Sequence, residues 1–107
     1  MNLYDEPFKA IKSGYKTIEM RLLTEKRKLI KVGDYIEFIN NETNEFLSAL
    51  VTNLYIYDSF DELYKHHDKF SLGYKENEEA NPDDMLTYYK KEDILKYGVL
   101  GIEIRLS

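Results

Sequence analysis

Residues Lys16 to Leu22, "KTIEMRL", alternate polar and apolar side chains at a period of two, and no other stretch narrows the possible folds as far. In a strand, residues two apart share a face, so Ile18, Met20 and Leu22 gather on one side and Thr17, Glu19 and Arg21 on the other. A helix would scatter both sets round its circumference. The segment is therefore expected to be a half-buried strand with its apolar side turned into the interior of the barrel that the sheet forms. Lys16 shares the parity of the apolar set. A charged group is not expected to enter a core, so Lys16 either opens into a cleft or leaves the pleat close to Gly14.

The neighbouring segments supply the other elements. "EPFKAIKSG" reads as a short helix with Pro7 in its first turn, Phe8 and Ile11 on one face, and Gly14 as a left-handed stop. "TEKRKLI" fits one turn of helix capped by Thr24. "KVGDYIEFIN" is a Gly-Asp turn entering a strand, "NETN" a turn, and "EFLSALVTNLYIY" a long strand rich in β-branched and aromatic residues. In "SFDELYKHH", Ser59 and Glu62 form a capping box. Asn81-Pro82-Asp83-Asp84 starts a helix expected to run through "MLTYYKKEDILKY" to Gly98. "VLGIEIRL" closes the chain as a strand. Helix, strand, strand, strand, helix, helix, strand holds too few helices for alternating βαβ units. An α+β fold follows: a small, mostly antiparallel β-barrel with flanking helices, in one domain over residues 1–107.

Composition excludes several classes. The chain has no cysteine, which removes disulfides and thiolate chemistry and is compatible with a cytoplasmic protein. No apolar run approaches the roughly 18 residues of a membrane helix. Residues 1–31 carry eight Lys/Arg against four Asp/Glu, whereas residues 32–107 carry seven against sixteen. The net charge of −5 argues against sequence-independent coating of nucleic acid, whose affinity comes from counterion release. It leaves room for a local site in the basic third.

"PFKAIKSGYKTIEMRL" followed by "IKVGDYIEF" resembles an ASCH domain (activating signal cointegrator homology), a branch of the PUA-like β-barrel superfamily, in its small single-domain bacterial form. The family pattern Gly-x-Lys-x-x-Glu-x-Arg stands complete as Gly14, Lys16, Glu19 and Arg21. The Gly33-Asp34 turn and the closing "YYKKEDILKYGVLGIEIRL" extend the likeness over nearly the whole chain. The resemblance implies a PUA-like barrel with a cleft beside its first motif strand, lined by these residues and binding RNA or a nucleotide-like small molecule. It also implies that the final helix borders the cleft, which brings in Tyr89 and Glu92. One branch of the family hydrolyses N4-acetylcytidine with a lysine, a threonine and a glutamate. Lys16 matches that lysine, but Glu19 stands where the threonine belongs, and the glutamate aligns only loosely with the Asp83-Asp84 region. If the chain is an enzyme, an amidohydrolase on such nucleosides or a ribonuclease, Lys16 and Glu19 are the candidate catalytic groups.

The residue chemistry has its own logic. Arg21 offers a planar fork that suits phosphate or a base edge, or else locks Glu19 in place. Glu19 suits an exocyclic amine. A desolvated Lys16 suits a base or nucleophile, and an exposed one a phosphate contact. The competing reading is a surface ion pair between Glu19 and Arg21, worth about 0–1 kcal/mol. Tyr88 and Tyr89 either stack on bases or pack the last helix against the barrel. His66-His67 lacks a third ligand at workable spacing, and no metal or other cofactor is expected. Lys26, Arg27, Lys28 and Lys31 read as a solvated face, and "KENEEANPDD" as a loop or a flap over the cleft. The remaining reading is an interaction module with no nucleic acid, suggested by the acidic two-thirds.

Overall fold

The computed structural model describes residues Met1–Ser107 throughout. Its centre is a five-stranded sheet in the order β1-β3-β4-β5-β2, formed by β1 (Asn2–Leu3), β2 (Ile18–Leu22), β3 (Tyr35–Asn40), β4 (Phe46–Tyr57) and β5 (Val99–Leu106). β1 runs parallel to β3, and every other pairing is antiparallel. The sheet curls into a half-barrel, and with its helices gives the small α+β, PUA-like architecture expected from the sequence. A register shift between Val51 and Asn53 marks where β4, which pairs with β3 at its start, continues along β5.

Helix α1 (Asp5–Ser13) connects the two edge strands. It ends at Gly14, whose φ of 96° lets its N–H reach the Ile11 carbonyl. Phe8 and Ile11 from α1 bury against Leu3, Ile36, Phe38, Val51, Leu100 and Ile102 to form the first core. A second core lies on the other sheet face. Ile18, Met20, Leu22 and Val99 meet Phe60 and Leu63 of helix α2 (Phe60–His66), together with Leu72 and Met85. Ser59 caps α2 by accepting from the Glu62 N–H, as its sequence indicates.

The second core corrects one expectation. The apolar side of β2 does not point into the barrel. Glu19 lies opposite Ile102 and Arg21 opposite Leu100, so the charged side shares the first core's face, beneath α1. Both faces of β2 are covered, whereas β3 keeps one face exposed. Alternation therefore separated the two residue sets of β2 without showing which set faced inward.

Three further differences have local causes. The expected last helix is split into a 3₁₀ segment (Pro82–Thr87) and helix α3 (Lys91–Tyr97). Met85 and Tyr89 turn towards the second core while Tyr88 is left outside, and the break at Tyr88–Lys90 permits both. The basic segment forms a short 3₁₀ turn at Arg27–Leu29 with no side-chain cap, so Thr24 contributes only its carbonyl, to the Lys28 N–H. The two-residue β1 carries too short a pattern to read, and the register of β3 decides it. No helix is long and apolar enough to cross a membrane.

Candidate functional site

Strands β1 and β2 are the two edges of the sheet, and a cleft of about 950 Å³ lies in the seam between them. Its walls are the first turns of α1, the loop at Leu72–Lys75, and the Asp84–Tyr89 stretch. A volume of this order accommodates a nucleoside-sized ligand.

The floor is ionic. Lys16 and Glu19 are each only 5% exposed, a level at which a charged side chain needs a partner. Lys16 precedes β2. Its N–H bonds to Ala10, while the Thr17 and Ile18 N–H groups both bond to the Ser71 carbonyl. That bend takes Lys16 out of the alternation and turns it onto Glu19's side of the strand. Its Nζ donates to the Leu72 carbonyl at 3.1 Å and lies 3.4 Å from Glu19 Oε1. Glu19 Oε2 accepts from Arg21 Nε at 2.8 Å and lies 2.7 Å from Arg21 Nη2. Arg21 Nη2 also donates to the Asn2 carbonyl at 3.0 Å, across the seam. The carboxylate is thus held between two cations, and the trio keeps one net positive charge. Neither the third Lys16 donor nor Arg21 Nη1 has a partner within the protein.

Tyr89 reaches the cleft from the opposite wall while its ring stacks on Phe60, centroids 6.0 Å apart. Burial pushes its hydroxyl pKa up, and the Arg21 charge partly offsets this. Glu92 does not join them. It lies exposed in the first turn of α3, outside the cleft lining. Lys16, Glu19, Arg21 and Tyr89 are therefore brought together, and Glu92 is not.

The sequence reading missed what holds the trio. The Leu72 carbonyl caps Lys16, and the Asn2 carbonyl takes Arg21. Gly73 packs on the lysine stem so closely that a Cβ would sit 3.0 Å from Lys16 Cδ. Backbone carbonyls leave no mark in a sequence, but an isolated glycine in "SLGYK" is a readable sign of close approach. Tyr74 was also missed. Its hydroxyl meets Tyr64 and the Asp84 carboxylate, both at 2.8 Å, forming a polar wall.

The other candidates have structural partners. The Tyr57 ring stacks on His66, and its hydroxyl bonds with His67 Nε2 at 2.9 Å. In the acidic loop, Lys75 and Glu78 line the cleft, and the Glu76 and Glu78 carbonyls are tied down by Lys69 Nζ.

The family model described as "ASCH domain" matches residues 1–106. The crystal structure of hypothetical protein PH0355 is 34% identical, with a TM-score of 0.82 over 100% of this chain and 96% of that one. The solution structure of PF0455 from Pyrococcus furiosus is 33% identical, with a TM-score of 0.70 over 99% and 94%. No curated protein matches.

Proposed function

The chain belongs to the ASCH-domain family, and from that premise we propose that it binds a nucleoside, free or as one unit of an RNA strand, in the cleft between β1 and β2. The trio of buried Lys16 and Glu19 with half-buried Arg21 carries this reading. A surface ion pair would be solvated, whereas here a carboxylate is fixed by two cations that each keep a donor free. Such donors suit the acceptor edge of a base, a ribose oxygen or one phosphate. The whole lining holds four Lys/Arg against five Asp/Glu, so it favours one nucleoside unit over a long phosphate track.

Titration calorimetry with ribonucleosides and a short RNA tests the proposal. Saturable binding that Lys16→Ala abolishes is expected, and absence of binding to every probe overturns it. Arg21 already spends Nε and Nη2 on Glu19 and Asn2. Arg21→Ala should therefore weaken binding while changing the salt slope by well under the roughly one unit of a phosphate contact.

The Lys16–Glu19 pair supports a second reading, hydrolysis of an acylated nucleoside. Water would add to the acyl carbon, with cytidine and acetate leaving when the substrate is N4-acetylcytidine. Lys16 Nζ, already bonded to Leu72, would orient the acyl oxygen, and Glu19 would take the proton of water and pass it to the departing N4 as the C–N bond breaks. Release of cytidine from N4-acetylcytidine, lost in Glu19→Gln, would select this reading; saturable binding without turnover selects the first.

A further inference from the structure

We propose that Tyr4 and Tyr88 form a stacking clamp at the mouth of the cleft, taking one flat heteroaromatic ring between them. The proposal rests on the binding reading above and adds the feature that would make the site select a base-bearing ligand over a sugar phosphate. Tyr4 stands between β1 and α1, and Tyr88 follows the Pro82–Thr87 turn, so the two rings come from opposite ends of the chain. Both line the cleft, and they are 61% and 54% exposed. Their centroids are 6.1 Å apart with the planes tilted by 35°. A ring sandwiched between two others needs about 7 Å between the outer planes, since each carbon–carbon contact takes about 3.5 Å. The centroids are about 1 Å closer than such a sandwich needs and the planes are not parallel, so the two exposed side chains must rotate apart and into line to admit a ring.

Of the other four tyrosines that line the cleft, Tyr15 is half-buried and three are committed. Tyr64 and Tyr74 bond to each other, Tyr74 also to Asp84, and Tyr89 stacks on Phe60. The Tyr4 and Tyr88 hydroxyls bond to nothing in the protein, and neither ring pairs with any aromatic group but the other. The clamp also lies next to the ionic floor. Tyr4 is two residues beyond Asn2, which accepts from Arg21, and Tyr88 adjoins Tyr89, whose hydroxyl lies in the field of Arg21 and Glu19. A base held by its faces would thus present its edge towards the unpaired Arg21 Nη1.

The test measures binding of the four ribonucleosides and of ribose 5-phosphate by wild type, Tyr4→Leu, Tyr88→Leu, the double variant and both Tyr→Phe variants. Leucine keeps bulk but removes the flat face, and both sites are exposed, so melting temperatures should hold. Base stacking predicts a loss of roughly 5- to 100-fold in nucleoside affinity for each leucine variant. The double variant should lose little more, because either change opens the sandwich. The phenylalanine variants should bind like wild type, and ribose 5-phosphate should not respond. The chain has no tryptophan, so Tyr88→Trp adds a lone indole whose fluorescence a stacked base should quench. Unchanged nucleoside affinity in both leucine variants, with Lys16→Ala still abolishing binding, overturns the clamp and leaves the site standing. Equal losses for ribose 5-phosphate also overturn it, as does RNA binding without binding of any free nucleoside. Failure of every probe removes the clamp and the site together.

Discussion

The two faces of β2 solve the same burial problem with opposite chemistry. On one, Ile18, Met20 and Leu22 join the second core beneath α2. On the other, Glu19 is as deeply buried as those residues but is held by Lys16 and Arg21. Apolar burial is tolerant, because its stabilisation scales with area and survives small shifts. An ionic group under cover stabilises only when every partner is in place, and removing one leaves an uncompensated charge. The first face builds the fold. The second is costly to maintain, and a chain retains such an arrangement most readily where it meets a ligand.

The largest expected effect breaks the ionic face. Glu19→Ala leaves Lys16 a buried cation without its carboxylate, beside the like charge of half-buried Arg21, and should cost about 3–5 kcal/mol in denaturant unfolding. Leu22→Ala on the apolar face, outside the cleft lining, should cost about 2–5 kcal/mol through transfer and cavity terms. The contrast lies in what accompanies each loss: the first should abolish nucleoside binding, while the second should leave it within a few-fold. A cost below about 1 kcal/mol for Glu19→Ala would show that the trio behaves as a surface pair.

A smaller effect is expected at the loop that closes over Lys16. Gly73 has a φ of 104°, and a Cβ there would press on the Lys16 stem at 3.0 Å. Gly73→Ala should therefore cost about 1–2 kcal/mol from backbone conformation alone. It should also weaken binding by displacing the lysine. Unchanged binding together with lost stability would separate the loop from the site.

The smallest effect concerns the apolar side. Tyr64 packs against the second core, and burial raises its phenol pKa from 10.0 to about 12. The folded state thus favours the neutral form. Its contribution is full below the ordinary value of 10.0 and is lost as pH rises through about 12. Tyr64→Phe should flatten the alkaline fall in stability across that window, as followed by circular dichroism. Identical profiles would assign the alkaline loss to other groups.

Much of this was readable in the sequence where local rules apply. The Gly14 stop, the Ser59 cap and the closing strand over Val99–Leu106 are each decided by residues within a turn of one another. The membership of the ionic trio also followed from the sequence, since Lys16, Glu19 and Arg21 lie within six positions. Their orientation did not follow. Both faces of β2 are covered, and only pairing with β5, nearly eighty residues away, decides which lies under α1. The split before α3 was hidden for a similar reason: propensity favours a continuous helix, and packing of Met85 and Tyr89 overrides it. Tyr4 was invisible because its partner Tyr88 lies at the far end of the chain.

The contact from the Arg21 guanidinium to the Asn2 carbonyl joins the two margins of the curled sheet through one flexible side chain instead of a ladder of amides. Such a stitch can be undone without unravelling either strand. A guest that draws Nη2 away from Asn2, instead of taking the unpaired Nη1, competes with the stitch, and linkage makes the competition mutual: whatever loosens the amino-terminal strand frees that donor, and whatever occupies it loosens that strand. Amide exchange near the amino terminus would then record occupancy at a distance from the guest itself.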